Sequence, residues 1–201
     1  EVLLPVLRQQ AKKGEGIYKS LADYGMPVSE GRTDYVGAFV VTAGTGADSL
    51  KERFEQEGDT YNSTLLHTLT DRLAEATAEY LHEKVRKEYW GYAPDESLSI
   101  SDLYKVKYQG IRPAIGYPSL PDQLLNYTLD KLLNMSQIGV RLTENGAMYP
   151  TATVSGIYIA HPDSQYFMIG NIDEEQMKDY ACRRNLSEAE VKKLLNKNIS
   201  N

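Results

Sequence analysis

Arg112 lies in the segment RPAIGYP (112–118), where prolines and a glycine shape the backbone on both sides. A guanidinium offers five N–H donors in a planar fork that matches the two oxygens of a carboxylate. The backbone of Ala114 and Ile115 could contact the polar edge of the same ligand, because Gly116 permits close approach. The spacing alone fits two interpretations equally: an arginine that binds a ligand carboxylate, or one that pairs with a structural carboxylate.

Acidic and aromatic residues form a second group of candidates. Glu75 shares one face of a predicted helix with Asp71 and His82, since steps of four and seven residues stay on one side. A carboxylate there could receive an ammonium or a sulfonium, although a solvated helix face is the commoner explanation. Tyr166 and Phe167 lie in a predicted strand and should point to opposite faces, so that one packs in the core and the other stacks on a ligand.

The other motifs argue against several kinds of site. His67, His82 and His161 occur without an HExxH motif or paired cysteines, so we predict no metal site and assign no catalytic residue. The segment GTGADS lacks the third glycine of a dinucleotide-binding loop and is interpreted as a strand-to-helix turn. A GxSxG elbow and a phosphate-binding P-loop motif are both absent from the sequence.

The order of the predicted helices and strands that must position these residues favours an α+β fold. We expect a mainly antiparallel twisted sheet with flanking helices, one of them long. Local signals predict N-caps at Asp48 or Ser49 and at Ser99, and a capping box from Ser187 to Glu190. The long helix should bury one apolar stripe, formed by Leu65, Leu66, Leu69, Leu73, Ala76, Tyr80 and Leu81. The predicted strands cover residues 35–42, 139–142, 152–160 and 166–169, and the predicted helices cover 48–57, 61–89, 102–108, 122–135, 173–184 and 187–196.

Composition sets the broad class. A chain of 201 residues predicts one domain, 1–201. The formal charge of −6, from 22 basic and 28 acidic residues, argues against nucleic-acid binding. The single cysteine, Cys182, excludes an internal disulfide and fits a reducing cytoplasm, and no apolar run is long enough for a membrane span. The chain begins with Glu1, which we interpret as a cut through a longer chain.

Three long segments carry a resemblance to a known family. They are RLAEATAEYLHEKVRKEYWGYAP (72–94), YQGIRPAIGYPSLPD (108–122) and LTENGAMYPTATVSGIYIAHPDSQYF (142–167). Together they resemble the activation domain of cobalamin-dependent methionine synthase, and the likeness extends from about Leu7 to the C-terminus. Family domains begin further upstream, so the resemblance implies that 1–201 corresponds to the C-terminal two-thirds of such a domain.

The resemblance implies a function. The domain would bind S-adenosylmethionine and support reductive methylation of cob(II)alamin, which another domain of the enzyme holds. The implied partners are that cobalamin-binding domain and a flavodoxin or flavoprotein reductase. The enzyme would be methionine synthase (5-methyltetrahydrofolate–homocysteine S-methyltransferase), and the isolated domain should not turn over. An acidic reductase would need a basic patch, for which the candidates are Lys84, Arg86, Lys87, Arg183 and Arg184.

The resemblance also implies site residues. Arg112, Ala114, Tyr166, Phe167 and Glu75 fall on family positions that contact or lie close to S-adenosylmethionine. Two loop residues depart from the family's usual pattern, Ile115 in place of a proline and Leu120 in place of a cysteine. Phe167 follows Tyr166 where some members have two tyrosines, and the missing upstream segment supplies an aspartate to the ligand in the family.

Two other functions compete with this one. The first is a non-catalytic interaction or structural domain that no longer binds S-adenosylmethionine. Ligand binding itself would separate the two. The second is a stand-alone methyltransferase, which the missing Gly-rich nucleotide loop disfavours.

Overall fold

The protein has an α+β architecture, as the sequence predicts. The structure, a computed structural model, describes residues 2–10 and 16–199. The strands are β1 (Gly37–Thr42), β2 (Arg141–Leu142), β3 (Met148–Tyr149) and β4 (Thr153–Tyr158). The helices are α1 (Ala47–Gln56), α2 (Thr60–Lys84), α3 (Ile100–Tyr104), α4 (Leu125–Leu133), α5 (Glu174–Arg184) and α6 (Glu188–Leu194). Short 3-10 turns cover Leu21–Tyr24, Val28–Glu30 and Met135–Ile138.

The strands pair antiparallel, as predicted. β1 pairs with β4 from Gly37 opposite Tyr158 to Thr42 opposite Thr153, and β2 pairs with β3 in a separate short hairpin. The segment of Arg112 joins β4 through isolated bridges, at Ile111 with Ile159 and at Ala114 with Gly156. The loop that carries the leading site candidate is therefore fixed directly to the sheet.

The predicted strand over 166–169 is wrong. This segment is irregular, and it is held by single hydrogen bonds instead of a ladder: the Ile169 N–H donates to the Pro118 carbonyl at 2.9 Å, and the Gln9 side chain donates to the Met168 carbonyl at 2.8 Å. Its composition of aromatic and branched residues fits a half-buried surface, and such a surface does not require a strand.

The long helix forms, but the predicted apolar stripe does not face the core. α2 continues through a π-helical turn at Val85–Tyr89, so the helical segment ends where the sequence predicts. Most of the stripe is at least two-fifths exposed, whereas the buried positions of α2 are Ser63, Ala74, Ala78 and His82. The small alanines pack with Phe39, Val41 and Val154 of the sheet. The large exposed residues of the stripe are Leu65 (41%), Leu69 (57%), Leu73 (57%) and Tyr80 (61%).

Local capping signals are confirmed at two of the three predicted sites. Ser99 and Ser187 each form a full capping box, with Asp102 and Glu190 respectively. The predicted cap at Asp48 or Ser49 is wrong, because α1 begins at Ala47, its N-cap is Gly46, and it has no side-chain cap. Gly46 adopts a φ of 78°, a left-handed conformation that favours glycine.

The described residues contain no helix that is both long and apolar enough to cross a membrane.

Candidate functional site

All five residues predicted from the sequence line one cavity. The cavity measures about 400 Å³ and lies between the Arg112 loop, the irregular segment 166–168 and one face of α2. This volume lies within the range typical of small-molecule sites. The five residues are Glu75, Arg112, Ala114, Tyr166 and Phe167.

The Arg112 loop is rigidly attached, which agrees with the expectation from its prolines and glycines. The carbonyl of Pro113 accepts a hydrogen bond from the Ile157 N–H at 3.1 Å, and the Ile115 N–H donates to the Ser155 carbonyl at 2.9 Å. Gly156 permits this contact, because a Cβ there would lie 2.3 Å from the Pro113 oxygen. Gly116 turns the loop with a φ of 85°.

The Arg112 side chain pairs with carboxylates of α2. Its Nε and Nη2 atoms donate to the same oxygen of Glu79, Oε2, at 3.3 and 3.2 Å. Nη2 also lies 3.6 Å from Oε2 of Glu75. Burial opposes the charged form, but Tyr166, Glu79 and Glu75 outweigh it and raise the pKa of Arg112. Arg112 therefore pairs with a protein carboxylate, as the second sequence interpretation predicts, and it also lines the cavity.

Glu75 is the carboxylate at the cavity wall. It accepts a hydrogen bond from the hydroxyl of Tyr117, a residue of the same rigid loop. Burial, followed by this hydrogen bond, raises the pKa of Tyr117 to about 12. Glu75 in the wall and Glu79 behind it carry two negative charges against the one guanidinium of Arg112, and this surplus negative charge suits a cationic group.

The two aromatic residues lie on the same cavity, which corrects the expectation that they point to opposite faces. Because segment 166–169 is not a strand, alternation does not apply to it. The Tyr166 hydroxyl accepts a hydrogen bond from the backbone N–H of Arg112 at 2.9 Å. Phe167 is half-buried and also packs against two of the core clusters. The pair therefore joins the cavity wall to the core.

Three residues of the site were missed by sequence reasoning. Glu79 lies one helical turn after Glu75, and that four-residue spacing was a usable signal. Tyr117 lies in the segment RPAIGYP, but the sequence predicted no role for it. Tyr108, which also lines the cavity, had no signal: the guanidinium of Arg86 lies 4.2 Å from its ring centre, and His82 meets its ring edge at 5.1 Å.

His82 is buried behind the cavity and does not lie on a solvated polar face. Its ring stacks on Tyr158 at 5.3 Å, and Nε2 lies 3.3 Å from the Tyr92 hydroxyl. Burial, with smaller contributions from Arg86 and Arg112, lowers the pKa of His82 to about 2, so the ring is neutral. The helical spacing of His82 to Asp71 and Glu75 is as predicted. Other parts of the protein cover only the His82 end of the helix face that the three residues share. Across residues 2–10 and 16–199, no group of three or more metal-ligating side chains occurs.

The predicted basic patch is wrong for two of its five residues, Arg86 and Arg184. Arg86 is fully buried and forms two hydrogen bonds with Glu96, at 2.8 and 2.7 Å. Arg184 is only 13% exposed and lies 2.7 Å from Asp122. The other three members each pair with an acidic residue four positions away on the same helix: Lys84 with Glu88, Lys87 with Glu83, and Arg183 with Asp179.

Comparisons with known proteins identify the family of the chain. A family model described as vitamin B12 dependent methionine synthase, activation domain, matches residues 1–185. A crystal structure described as the MetH reactivation domain bound to AdoHcy is similar, with 47% identity and a TM-score of 0.92. The match covers 98% of this chain and 61% of that chain, so this chain spans about three-fifths of that solved chain's length. By the extent of the family match, the chain belongs to the activation-domain family of vitamin B12-dependent methionine synthase.

Proposed function

We propose that the cavity beside Arg112 binds S-adenosylmethionine, and that the chain acts within methionine synthase, a cytoplasmic methyltransferase, to support reductive methylation of cobalamin. The single observation that carries the proposal is the convergence of five family site positions on one cavity. A similar protein with 47% identity has been crystallised with AdoHcy, the demethylated form of this ligand.

Each residue has a role that follows from its chemistry. The guanidinium of Arg112 receives the ligand carboxylate, and the backbone at Ala114 contacts a polar edge of the ligand. Tyr166 and Phe167 supply aromatic surface for the planar base. Glu75 faces the positive charge of the sulfonium or ammonium, in agreement with the surplus negative charge at its wall.

The chemistry requires positioning more than acid–base catalysis. When bound by another domain, cobalamin supplies the metal centre that takes up the electron and the methyl group. Methyl transfer from a sulfonium leaves a neutral thioether, so this chain needs no proton donor or acceptor at the reacting carbon. The absence of an assigned catalytic residue is consistent with that demand, and the isolated chain should not turn over. We propose the cobalamin-binding domain and a flavodoxin or flavoprotein reductase as partners.

The two departures in the loop do not favour the competing interaction-only function. Ile115 and Leu120 are 6% and 2% exposed and belong to the hydrophobic core. Neither lines the cavity. Their side chains therefore alter the packing beneath the loop and leave the ligand-facing surface to Arg112 and Ala114.

Isothermal titration calorimetry with S-adenosylmethionine and S-adenosylhomocysteine tests the proposal. We expect saturable 1:1 binding. If Glu75 faces the sulfonium, Glu75→Gln should weaken S-adenosylmethionine about tenfold and weaken S-adenosylhomocysteine, whose sulfur is uncharged, much less. Glu83→Gln is a matched control, because Glu83 lies on the same helix and its side chain is equally exposed, at 38%. No binding at millimolar ligand would refute the proposal, and equal weakening of both ligands would show that Glu75 does not face the sulfonium, the charge that only S-adenosylmethionine carries.

A further inference from the structure

The Arg112 guanidinium is held along one edge only. Nε and Nη2 face a single oxygen of Glu79, at 3.3 and 3.2 Å. Within the described part of the chain, the third nitrogen, Nη1, forms no hydrogen bond, and it is not fully buried. Because the guanidinium is planar, fixing one edge also fixes the direction of the other. Glu79 therefore fixes the direction of the unpaired end of the fork, on a side chain that lines the cavity.

Glu79 is placed behind the cavity and not in its wall. Glu75 lines both the cavity and a neighbouring groove between α2 and α3, whereas Glu79 lines only that groove. The second carboxylate oxygen of Glu79, Oε1, is buried and has no hydrogen-bond partner. Its charge is thus compensated mainly by Arg112, and the pair depends on a geometry that no other donor maintains.

The backbone that carries Glu79 is itself fixed. Ala78, the preceding residue, is fully buried against the sheet, and His82, one turn later, is fully buried as well. The backbone of Arg112 is fixed from the other side by the Tyr166 hydroxyl at 2.9 Å. Both ends of the Arg112–Glu79 pair therefore start from rigid positions, so the pair can orient the fork before a ligand arrives.

We propose that Glu79 is a positioning residue: without touching the ligand, it orients the guanidinium of Arg112 to receive a carboxylate. The inference deepens the proposed function, because it assigns the carboxylate-binding end of the same site. It differs from the role of Glu75, which faces the ligand's positive charge directly.

Two ligands that differ only in the carboxylate test this inference by calorimetry. In Glu79→Gln, affinity for S-adenosylmethionine should fall about tenfold or more, and affinity for decarboxylated S-adenosylmethionine should change less than about twofold. Glu83→Gln is the control for removing an acidic charge from α2. In an Arg112→Ala background, Glu79→Gln should cause no further loss of affinity. Equal weakening of both ligands, or no weakening of either, would overturn the inference.

A measurement without ligand separates this inference from the proposed function. The side-chain Nε–Hε resonance of Arg112 can be assigned by its loss in Arg112→Ala. In Glu79→Gln we expect its chemical shift and its proton exchange rate to become those of an arginine without an ion-pair partner. Glu83→Gln should change neither. If the chain binds neither ligand but the resonance responds in this way, the proposed function fails and the positioning role stands. An unchanged resonance in Glu79→Gln would refute the positioning role whether or not the ligand binds.

Discussion

Replacing Arg112 by alanine should destabilise the free protein as well as abolish its ligand contact. An arginine that serves only the ligand, the first of the two sequence interpretations, would leave folding almost unchanged. The ion pair with Glu79 corrects that expectation, because the truncation leaves a carboxylate with one oxygen already unpaired and the other stripped of its two donors. The loss of stability comes from the unpaired carboxylate of Glu79 and not from the space that the arginine leaves.

The exposure of the two partners sets the magnitude. The side chains of Arg112 and Glu79 are 14% and 30% exposed. Fully exposed pairs contribute about 0–1 kcal/mol, and breaking a fully buried pair costs about 3–5 kcal/mol. We therefore expect Arg112→Ala to lower the free energy of unfolding by about 1–2 kcal/mol. For a domain of this size that corresponds to a fall in Tm of about 2–8 °C.

Urea denaturation of four proteins isolates the cause: the unmodified chain, Arg112→Ala, Glu79→Gln and the double variant. If the unpaired charge of Glu79 causes the loss of stability, the double variant should lose about 1 kcal/mol less than the two single variants lose in sum. Arg112→Lys should recover part of the stability, because it keeps the charge. It should not recover the affinity for S-adenosylmethionine, because an ammonium lacks the planar fork. Additivity within about 0.3–0.5 kcal/mol would refute this reasoning.

The remaining predictions concern the buried histidine and the glycine beneath the loop. His82 has a pKa of about 2 in the folded protein and about 6.5 when unfolded. The unfolded chain therefore binds the extra proton as the pH falls below about 6.5, and stability should drop by up to about 1.4 kcal/mol per pH unit. His82→Gln should flatten that slope between about pH 6.5 and 4.5 in urea denaturation at constant ionic strength. Gly156→Ala should cost about 1–3 kcal/mol and weaken S-adenosylmethionine, because the new Cβ would lie 2.3 Å from the Pro113 oxygen and displace the Arg112 loop.

One outcome would contradict each of these two predictions. For His82, an equal slope in the variant and the unmodified chain would show that other groups cause the acid sensitivity. For Gly156, the matched control is Gly25→Ala, where a new Cβ would meet the Ala22 oxygen at an ordinary 3.7 Å. If both glycine variants have the stability and affinity of the unmodified chain, the loop accommodates the added methyl group, and the close contact does not fix its position.

Sequence reasoning succeeded where the determinants are local. The capping boxes at Ser99 and Ser187 involve residues three positions apart, and both form. The rigid Arg112 loop follows from its own prolines and glycines. The strand predicted over 166–169 fails for the complementary reason: a strand needs a partner ladder, and composition does not reveal whether one exists. Segment 166–169 receives only single hydrogen bonds from distant residues.

The site was predictable to the extent that the family resemblance marks it. The five residues named in that way surround one cavity, but their mutual arrangement depends on contacts across the chain. Glu79 meets Arg112 over a separation of 33 residues, and no spacing rule connects a helix to a loop at that distance. The sequence also does not indicate that Arg86 is buried, because a basic residue close to two lysines predicts a solvated helix face. Its pairing with Glu96 requires the chain to turn back after the helix ends.

The error about the face of α2 and the geometry of the site have the same physical cause. Hydrophobicity favours leucine over alanine as a core residue, yet α2 contacts the sheet through Ala74 and Ala78, which belong to the same cluster as Ala114 of the Arg112 loop. Small side chains on both partners allow the helix and the loop to approach closely, and Glu79 can then reach Arg112 at 3.2 Å. A leucine at either alanine would separate the two elements and break that contact. Three leucines of α2, Leu65, Leu69 and Leu73, are therefore exposed, because the site requires alanine where a stronger core would place leucine.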